Sequence, residues 1–589
     1  MNPKIQEVLA KIQDAAIRYP LVLMASIWMA FFAIISIEVN DENQFIWLKL
    51  ILVSGLGISL LFALKMLSQR MKKGIWLELL GVAFLVGYYF LLPEKEEDFT
   101  EYYAFLLVPT FILSHLLVSF VAFTKRENSE HHFWQYNKSL FVNIFLTAVF
   151  TGVLTGGVQL AILAVDKLFN MNFQDEWYGQ VAVFLTIFGS TVIFLLFNET
   201  GLDFLEKEGK YPVVLKFFTQ YVLIPLLCIY VVILYLYSAK ILVNWELPRG
   251  WVSYLVLAYS VVGILALLLV HPLKENTDKS WIRIFSKVFY FTLIPLIVLL
   301  FIAIFTRVLE YGYTEPRYFV LLLAVWLTTV VLYFIFRKNP TIKFIPISLF
   351  CFGLFALIFP YFNTFSVAKR SQKNELEKIL TDYNLLVNGK IDFTKEIQDT
   401  VAYEIADKFE FLHDRFQKDY LNSFLDEKYQ EEFKDGYYWN FAQKFTNRQN
   451  TNSELPAAQE APTMILTAKR GVYAIDGYQF MITHQELENK TFLLGNDSLK
   501  LIYRTNRDQE YKLILNEDET LDLIPLVDEF FKNHKSAENS ISPDEISVEG
   551  DLGKYHVKVL FESINRSEFA NGTFNYWYNH PIFLIKEIQ

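Results

Sequence analysis

The sequence TRVLEYGYTEPRY (Thr306–Tyr318) separates two apolar runs, Phe285–Phe305 and Tyr318–Phe336, that are each long enough to cross a lipid bilayer. A membrane helix needs about 20 apolar residues to span the ~30 Å hydrocarbon layer. An unpaired charge at mid-membrane costs at least ~2.5 kcal/mol, so charges this close to hydrocarbon need partners or water. The stretch therefore predicts a membrane hairpin with a polar turn. Its charged residues are Arg307, Glu310, Glu315 and Arg317.

Two interpretations of this ionic hairpin (Thr306–Tyr318) remain open. Arg307 and Glu310 would pair along a helix at a spacing of three residues, before Gly312 and Pro316 force a turn. In the functional interpretation, the arginines hold an anionic small molecule or lipid head group, because guanidinium binds such groups bidentately. In the structural interpretation, the same charges lock two spans together. The candidate binding residues are Arg307, Glu310, Tyr311, Glu315 and Arg317.

Further apolar runs extend on both sides of the hairpin and predict an α-helical polytopic membrane bundle of about 11 transmembrane helices. Hydrophobic residues make up 53% of the 589-residue chain, which exceeds the share in an average soluble domain. The predicted spans are Pro20–Ile37, Phe45–Leu67, Ile75–Leu92, Tyr103–Phe123, Leu140–Ala164, Tyr178–Leu196, Phe217–Leu236, Trp251–Val270, Phe285–Phe305, Tyr318–Phe336 and Phe344–Phe362.

Lysine and arginine are unevenly distributed between the two alternating sets of loops. One set, which includes the N-terminus, carries 19 of these residues, and the other set carries 6. Positive residues accumulate on the cytoplasmic side of membrane proteins, so the N-terminus is predicted to be cytoplasmic. Eleven spans then place the chain after Phe362, and the ionic hairpin, outside the cytoplasm. The first apolar run lacks a small-residue cleavage site and is expected to be retained as a span.

The composition changes after the last span. Residues from Asn363 onward carry 26 Lys+Arg and 38 Asp+Glu, whereas the preceding residues carry 27 and 25. The acidic balance gives no indication of a nucleic-acid partner. We expect a cytoplasmic amphipathic segment over 1–19, the bundle over 20–362, a helical juxtamembrane segment over 363–446 and a soluble extracytoplasmic α+β domain over 447–589. Within this tail, Thr394–Leu425 and Leu521–Asn533 are predicted to be helical, and Asn447–Pro462 a polar linker or loop. Strands are predicted at Tyr478–Thr483, Thr491–Leu494, Leu499–Tyr503, Tyr511–Leu515, Tyr555–Phe561 and Thr573–Ile585. Residues 363–589 are a candidate surface for a protein partner.

Four polar residues lie inside the predicted spans and are candidates for intramembrane function: His115, Asn143, Gln159 and Gln220. Hydrogen bonding within the bundle is the commoner role for such residues, and small residues such as Gly152 and Gly156 let helices approach closely. Cys228 and Cys351 both lie in apolar runs, so no disulfide framework or thiolate metal site is indicated. No phosphate-binding loop, nucleophile elbow or dinucleotide fingerprint occurs, and no cofactor or metal is expected.

Several motifs occur in an order typical of one family. They are FWQYN (Phe133–Asn137), Tyr211–Tyr237, LPRGWVSYLVLAYSVVGIL (Leu247–Leu265), RVLEYGYTEPRY (Arg307–Tyr318) and SVAKRSQ (Ser366–Gln372). Together they resemble the domain-of-unknown-function 4153 family of bacterial multi-pass membrane proteins. The resemblance covers roughly Phe133 to Gln372. It implies a bacterial inner-membrane protein and supplies no catalytic residues.

Three functions are compatible with these patterns. A transporter-like bundle would use the outward-facing polar pocket at the ionic hairpin. A membrane enzyme acting on lipid-linked substrates would use acidic residues of the first external loop, Glu38 and Asp41. An anchored scaffold or sensor would bind a protein partner through its external domain. Whether the protein is an enzyme is left open.

Overall fold

Every apolar run predicted to span the membrane forms a helix in the computed structural model of the protein. The structure describes the chain except residues 1–2, 39–43, 73, 125–129, 172, 199, 208–210, 245–250, 276–279, 434–437, 439–440, 446, 450–463, 469–474, 476, 484–490, 496, 505–509, 517, 534–539, 542–545, 569–573, 580 and 589. The chain divides into two compact units, Met1–Thr451 and Asn452–Gln589.

The first unit is helical apart from four short strands. Its helices before residue 363 are α1 Pro3–Arg18, α2 Pro20–Glu38, α3 Gln44–Met71, α4 Trp76–Leu91, α5 Glu101–Phe120, α6 Glu130–Phe169, α7 Asp175–Phe184, α8 Ser190–Leu196, α9 Leu202–Leu205, α10 Val213–Phe217, α11 Ile224–Asn244, α12 Trp251–Val270, α13 Ser280–Tyr311, α14 Glu315–Phe336 and α15 Phe344–Ile358. Short 3-10 turns follow α5 and α12. Wide π-turns join α7 to α8 and α10 to α11, so each of these pairs continues as one long helix.

Among the described residues, nine helices are long and apolar enough to cross a membrane. They are Pro20–Glu38, Phe45–Met71, Glu101–Phe123, Glu130–Phe169, Asp175–Leu196, Leu215–Ile241, Val252–Leu273, Ile284–Tyr311 and Glu315–Phe336. The two remaining predicted spans correspond to the shorter apolar helices α4 and α15. The predicted number of about eleven spans is therefore not confirmed: nine described helices meet the length expected of a span, and two apolar helices are shorter.

Side-chain contacts connect the helix ends at one end of this bundle, called here the N-terminal end. The contacts join Tyr19 to Asn198, Gln69 to Leu202, Arg70 to Glu206 and to Ala122, Lys65 to Glu78, and Glu130 to His271 and to Ile342. Because the linked loops are far apart in sequence, these polar contacts fix how the helices are arranged around one another.

A second set of contacts defines the opposite end, called here the hairpin end because the ionic hairpin lies there. The contacts join Glu38 to Gln180, Phe45 to Phe99, Lys49 to Leu92, Thr100 to Asp414, Glu315 to Arg415, and Tyr318 to Phe362. The helical segment that follows the bundle therefore packs on the hairpin end.

That segment has its own apolar core. It comprises α16 Thr364–Asp382, β1 Leu386–Val387, β2 Lys390–Ile391, β3 Glu396–Gln398, α17 Asp399–His413, α18 Lys418–Asn422, α19 Glu427–Glu432 and β4 Asn447–Gln449. Ile405, Phe409 and Phe441 are among its fully buried side chains. The sequence predicted one helix over Thr394–Leu425. The structure divides this range into β3, α17 and α18, with Phe416 in the left-handed conformation between the two helices.

The second unit contains three four-stranded sheets and one helix in its described residues. These are β5 Met464–Ala468, β6 Phe480–Thr483, β7 Thr491–Leu494, β8 Asp497–Arg504, β9 Glu510–Leu515, β10 Glu519–Asp522, α20 Leu523–Asn533, β11 Ser540–Ile541, β12 Ser547–Leu552, β13 Tyr555–Leu560, β14 Ser563–Glu568, β15 Phe574–Asn579 and β16 Ile582–Glu587. The sheet orders are β10-β9-β8-β7, β11-β5-β14-β15 and β12-β13-β16-β6. Within these three sheets, β5 with β11 is the parallel pair and the other pairs are antiparallel.

The strand predictions are partly right. The predicted strands coincide with β6, β7, β8, β9 and β13, whereas β5, β10, β11, β12 and β14 were not predicted. β12 (SVEGDL) and β14 (SINRSE) contain Glu, Gly, Asp or Asn residues, which are uncommon in strands. The single run predicted over Thr573–Ile585 is two strands, β15 and β16, with Pro581 between them. Proline cannot donate to a sheet ladder, so it is suited to this break. The predicted polar linker Asn447–Pro462 lies mostly outside the described residues.

Candidate functional site

In the turn of the ionic hairpin, side chains form hydrogen bonds with backbone N–H and carbonyl groups. Helix α13 ends at Tyr311, and Gly312 follows with φ +72°, a left-handed conformation that glycine adopts without strain. Arg317 Nη1 donates to the carbonyl oxygens of Tyr311 and Gly312 at 3.1 and 2.8 Å. These carbonyls lie at the helix C-terminus, where the helix itself offers no partner. Arg317 is thus a cap for α13.

Helix α16 holds the same turn from the other side. Gln372, which is 4% exposed, donates from Nε2 to the carbonyls of Tyr311 and Tyr313, both at 2.9 Å. The backbone N–H of Tyr313 donates to Ser371 Oγ at 2.8 Å. A Cβ atom at Gly312 would lie 2.9–3.0 Å from Ser371, Gln372 and Glu375. The absence of a side chain at Gly312 therefore allows α16 to approach the hairpin this closely.

The central ion pair of the region joins the hairpin to the end of α17. Arg415 donates from Nε to Glu315 Oε1 at 2.8 Å and from Nη2 to Glu315 Oε2 at 2.9 Å. The side chains of Glu315 and Arg415 are 0% and 2% exposed. Bidentate pairing of this kind is the strongest arrangement for guanidinium and carboxylate. Glu315 is thus engaged by a residue of the same chain.

Arg415 has further neighbours that hold its guanidinium in place. Its Nη1 donates to the carbonyl oxygen of Phe411 at 3.0 Å, and the guanidinium carbon lies 3.5 Å from the centre of the Phe411 ring. Glu101, at the start of α5, approaches Nη2 to 3.8 Å and is itself largely exposed. Arg415 therefore connects α5, α14 and α17 at the hairpin end.

A buried lysine adds a second cation from α17. Lys408 is 5% exposed, and its Nζ lies 3.4 Å from Gln372 Oε1 and 3.3 Å from Glu404 Oε1. Because Gln372 in turn holds the hairpin turn, Lys408 and Arg415 both attach α17 to the membrane hairpin. The arrangement fixes the position of the helical segment.

Acidic residues next to this cluster have perturbed titration. The pKa of Glu410 is raised because the group is partly buried and because the carboxylates of Asp414, Asp407 and Glu101 lie nearby. The pKa of Asp407 is raised mainly by burial, with Lys408 acting in the opposite direction and Glu404 adding to the rise. The carboxyl groups on this side of α17 therefore lose their protons at a higher pH than an ordinary carboxylic acid does.

The structure brings only some of the predicted binding residues together. Arg307 lies 5.9 Å from the ring centre of Tyr311, and Arg317 lies 5.4 Å from the same ring. Glu310 is exposed, and no ion pair within 4 Å joins it to Arg307 in the described part of the chain. The predicted pairing along α13 is therefore replaced by contacts to Tyr311.

The four polar residues predicted inside the spans lie in four different environments. Asn143 is buried and donates from Nδ2 to Asn198 Oδ1 at 2.9 Å. Gln159 donates to the carbonyl of Tyr178 at 2.7 Å, beside an open cavity of about 550 Å³ at the hairpin end. Gln220 is buried within the π-turn before α11. Wide turns of this type are frequent at functional sites.

His115, the fourth of these residues, lines a cleft of about 600 Å³ inside the bundle. Helices α2, α3, α5, α6, α8, α12 and α15 all contribute to its walls. The walls are mainly apolar, and its polar lining residues are Ser59, His115, Ser119, Asn137, Lys138, Thr147, Ser190 and Thr191. Ligand pockets in proteins typically measure ~300–1,000 Å³ and combine apolar walls with a few polar groups. The cleft has both properties.

The cleft lies towards the N-terminal end of the bundle. Lys138 is eight residues beyond the start of α6 at Glu130, and His115 is eight residues before the end of the 3-10 turn at Phe123. With a rise of 1.5 Å per helical residue, each lies roughly 12 Å from that end. Both ionisable groups therefore face the cleft at a similar depth.

The sequence did not identify Arg415 or Lys138 as site residues. Arg415 lies in the helical segment after the bundle, 100 positions from Glu315, and no local spacing connects them. The sequence did contain one signal, because a carboxylate next to a long apolar run, such as Glu315, needs a cationic partner.

Glu38, proposed for a membrane enzyme, accepts a hydrogen bond from Gln180 at 2.8 Å, and Asp41 lies outside the described residues. In the described part of the chain, no three His, Cys, Asp or Glu side chains are placed to hold a metal ion.

The long apolar helices define a multi-pass membrane protein. The chain belongs to the family described as Domain of unknown function (DUF4153), whose family model matches residues 21–391, so the resemblance predicted from the sequence motifs is confirmed. An uncharacterised protein of Pasteurella multocida (strain Pm70), PM1469, is 28% identical over 281 residues. The match covers 46% of each chain, so this chain spans about half the length of that curated relative. No solved structure matches.

Proposed function

We propose that the protein crosses the bacterial inner membrane eleven times, with α4 and α15 as crossings. The two sets of end contacts support this number. Helix α4 begins near the Lys65–Glu78 ion pair at the N-terminal end and is followed by Leu92, whose carbonyl accepts from Lys49 at the hairpin end. The segment containing α15 begins beside Ile342 at the N-terminal end and continues to Phe362 at the hairpin end. Each short helix thus connects opposite ends of the bundle.

The distribution of positive residues supports a cytoplasmic N-terminal end. The loops at that end carry 19 Lys and Arg against 6 in the loops at the other end, and such a bias sets orientation in membrane proteins. The hairpin end and the helical segment packed on it are then periplasmic. No candidate span follows Phe336 among the described residues apart from α15, so the C-terminal α+β domain is periplasmic in this proposal.

The function that we propose is transporter-like: the bundle binds an amphiphilic molecule of the membrane in the cleft and moves it across the bilayer. The observation that carries this proposal is the 600 Å³ cleft with walls from seven membrane helices. Thr147 supports it, because its hydroxyl is buried and has no hydrogen-bond partner among the described residues. Buried polar atoms are normally paired, so this hydroxyl is suited to a ligand. The site differs from the outward-facing pocket expected at the ionic hairpin.

The proposal can be tested by filling the cleft. Ile144 lines the cleft and is 57% exposed, whereas the next residue, Phe145, is 63% exposed and does not line it. Purified protein is reconstituted in liposomes that contain fluorescent phospholipid, and movement between leaflets is measured by chemical quenching of the outer leaflet. We expect wild-type protein to accelerate movement, Ile144→Trp to abolish the acceleration and Phe145→Trp to retain it. Equal rates with empty liposomes and wild-type protein would refute transport of this lipid class.

A second function is favoured by the attachment of α17 to the hairpin. In this alternative the bundle anchors a scaffold or sensor, and the helical segment presents a fixed surface to a protein partner. The buried Glu315–Arg415 pair supports it, because it holds the segment in one position. Photo-crosslinking in intact cells from Glu427, which is exposed on α19, distinguishes the two functions. One discrete adduct that disappears in Arg415→Ala favours the scaffold, whereas absence of any adduct counts against it.

A further inference from the structure

We infer that the cleft selects an anionic phospholipid and holds its phosphate against Lys138 at the cytoplasmic leaflet. This inference rests on the proposed function, because it specifies the ligand of the same cleft. It depends on three features of the cleft: the surroundings of Lys138, the orientation of the His115 ring, and the division of the lining into a polar part and an apolar part.

Lys138 is a cation that faces a mainly apolar cavity. Its Nζ donates to Gln135 Oε1 at 2.8 Å and lies 5.8 Å from the ring centre of Trp134. No carboxylate lies within 4 Å of it among the residues that the structure describes. A partly desolvated cation is stabilised by a negative charge that hydrogen-bonds to it. The charge that complements this site is therefore anionic and comes from a ligand.

His115 is a second polar group that lines the same cleft. Its Nδ1 lies 2.8 Å from the carbonyl oxygen of Phe111, so Nδ1 carries the hydrogen of this bond. The neutral ring then has Nε2 as an acceptor for a ligand hydroxyl group. A phosphodiester bearing a glycerol head group offers both an anionic oxygen for Lys138 and hydroxyl groups for His115.

The rest of the lining suits an acyl chain. Phe141 and Ile144 line the cleft beyond Lys138 on α6, and α12 contributes Leu265 and Leu268 to its walls. Apolar surface of this kind gains about 25 cal/mol for each Å² that an acyl chain covers. Because the charged group lies roughly 12 Å from the cytoplasmic helix ends and the apolar walls continue inward, the lipid would enter from the inner leaflet with its head group on the cytoplasmic side.

Native mass spectrometry of the purified full-length protein tests this inference. The protein is delipidated and then equilibrated with phosphatidylglycerol, with phosphatidylcholine, or with inorganic phosphate alone. We expect the wild type to retain one phosphatidylglycerol with about tenfold preference over phosphatidylcholine, and Lys138→Gln to lose that preference while still binding lipid. Lys338→Gln is the matched control, because Lys338 is exposed at the same end of the bundle and does not line the cleft.

The outcomes distinguish failure of the anionic-lipid assignment from failure of the cleft as a lipid site. Equal retention of both lipids by the wild type, or an unchanged preference in Lys138→Gln, would overturn the choice of an anionic lipid and leave the cleft as a lipid site. Competition by inorganic phosphate alone at a concentration comparable to that of the lipid would overturn a lipid as the source of the phosphate. Failure of the wild type to retain any lipid, with Ile144→Trp behaving identically, would overturn the cleft as a lipid site and the proposed function with it.

Discussion

Arg415 and Glu315 form a bidentate ion pair at 2.8 and 2.9 Å although 100 residues separate them in sequence. Both side chains are almost completely excluded from solvent. Removing one partner of a buried pair leaves an uncompensated charge, which costs about 3–5 kcal/mol. Among the contacts between the helical segment and the hairpin, loss of this pair should therefore lower the stability of the protein most.

We expect Arg415→Ala to lower the stability of the full-length protein by about 3–5 kcal/mol. The double variant Glu315→Leu with Arg415→Met should recover much of this loss, because it removes both charges and restores apolar packing. Thermal unfolding in detergent measures the order of stabilities, and Glu310→Gln at an exposed position is the control. A double variant no more stable than Arg415→Ala would contradict this explanation.

Substitution of Gly312 should loosen the contact between the hairpin and α16. Gly312→Ala places a side chain at φ +72° and within 3.0 Å of Ser371 and Gln372. The backbone strain alone is about 1–2 kcal/mol. Limited proteolysis should then cleave the segment around Asp382 faster than in the wild type. Gly157→Ala in α6 is the control, because a Cβ there meets no atom within 4 Å, and equal cleavage rates for the two variants would contradict the prediction.

The raised pKa of Glu410 gives stability a defined pH dependence. A folded-state pKa above the ordinary value of 4.5 means that folding favours the protonated form. This stabilisation is fully present below pH 4.5 and is lost as the pH rises through the raised pKa. Glu410→Gln removes the repulsion by Asp414, Asp407 and Glu101, so it should raise the unfolding temperature at pH 7.5 and reduce its change between pH 4.5 and 7.5. A parallel pH profile for wild type and variant would argue against it.

A buried amide pair at the N-terminal end should also contribute to stability. Asn198 is fully buried, accepts from Asn143 Nδ2 at 2.9 Å and donates to Phe194 O at 2.6 Å. Asn198→Ala leaves the Asn143 amide without this acceptor, at a cost of about 1–3 kcal/mol. Asn143→Leu combined with Asn198→Leu should be milder than Asn198→Ala in thermal unfolding. If the double variant proves to be the less stable one, the explanation by an unsatisfied amide is wrong.

The eleven-span topology makes a direct prediction for cysteine accessibility. In a variant with Cys228 and Cys351 replaced by serine, we expect Glu94→Cys and Asp382→Cys to react with a membrane-impermeant maleimide added to spheroplasts. Asp203→Cys and Lys338→Cys should react only after permeabilisation. Lys72→Cys, just before α4, is compared with Glu94→Cys, just after it, and labelling of both from the same side would exclude α4 as a crossing.

The sequence was most informative where hydrocarbon is the solvent. An apolar run of sufficient length has few alternatives to a helix in a membrane, and every apolar run that was predicted coincides with a helix, nine of them long enough to span in the described residues. Contacts between residues that are distant in sequence were harder to predict. The partner of Glu315 is Arg415, just after the end of α17 and 100 residues away in sequence, and the cleft combines residues from seven helices. No local pattern encodes either arrangement.

Small residues in α6 also show that a local sequence pattern does not determine contacts between helices. Gly152 and Gly156 have the spacing that lets helices approach closely, yet a Cβ at either position would meet no described atom within 4 Å. Among the described residues, no helix makes use of this spacing for a close approach. Gly312 has no such pattern around it, but it is the glycine at which α16 comes closest to the hairpin.

The two short helices have a consequence for the surrounding lipid. Helix α4 has 16 residues and α15 has 15, so they are about 24 and 22 Å long, whereas the hydrocarbon layer is ~30 Å thick. A bilayer next to crossings of this length must thin or deform to avoid exposing polar ends to acyl chains. Because α15 also forms part of the cleft wall, the thinned part of the bilayer would lie next to the cleft.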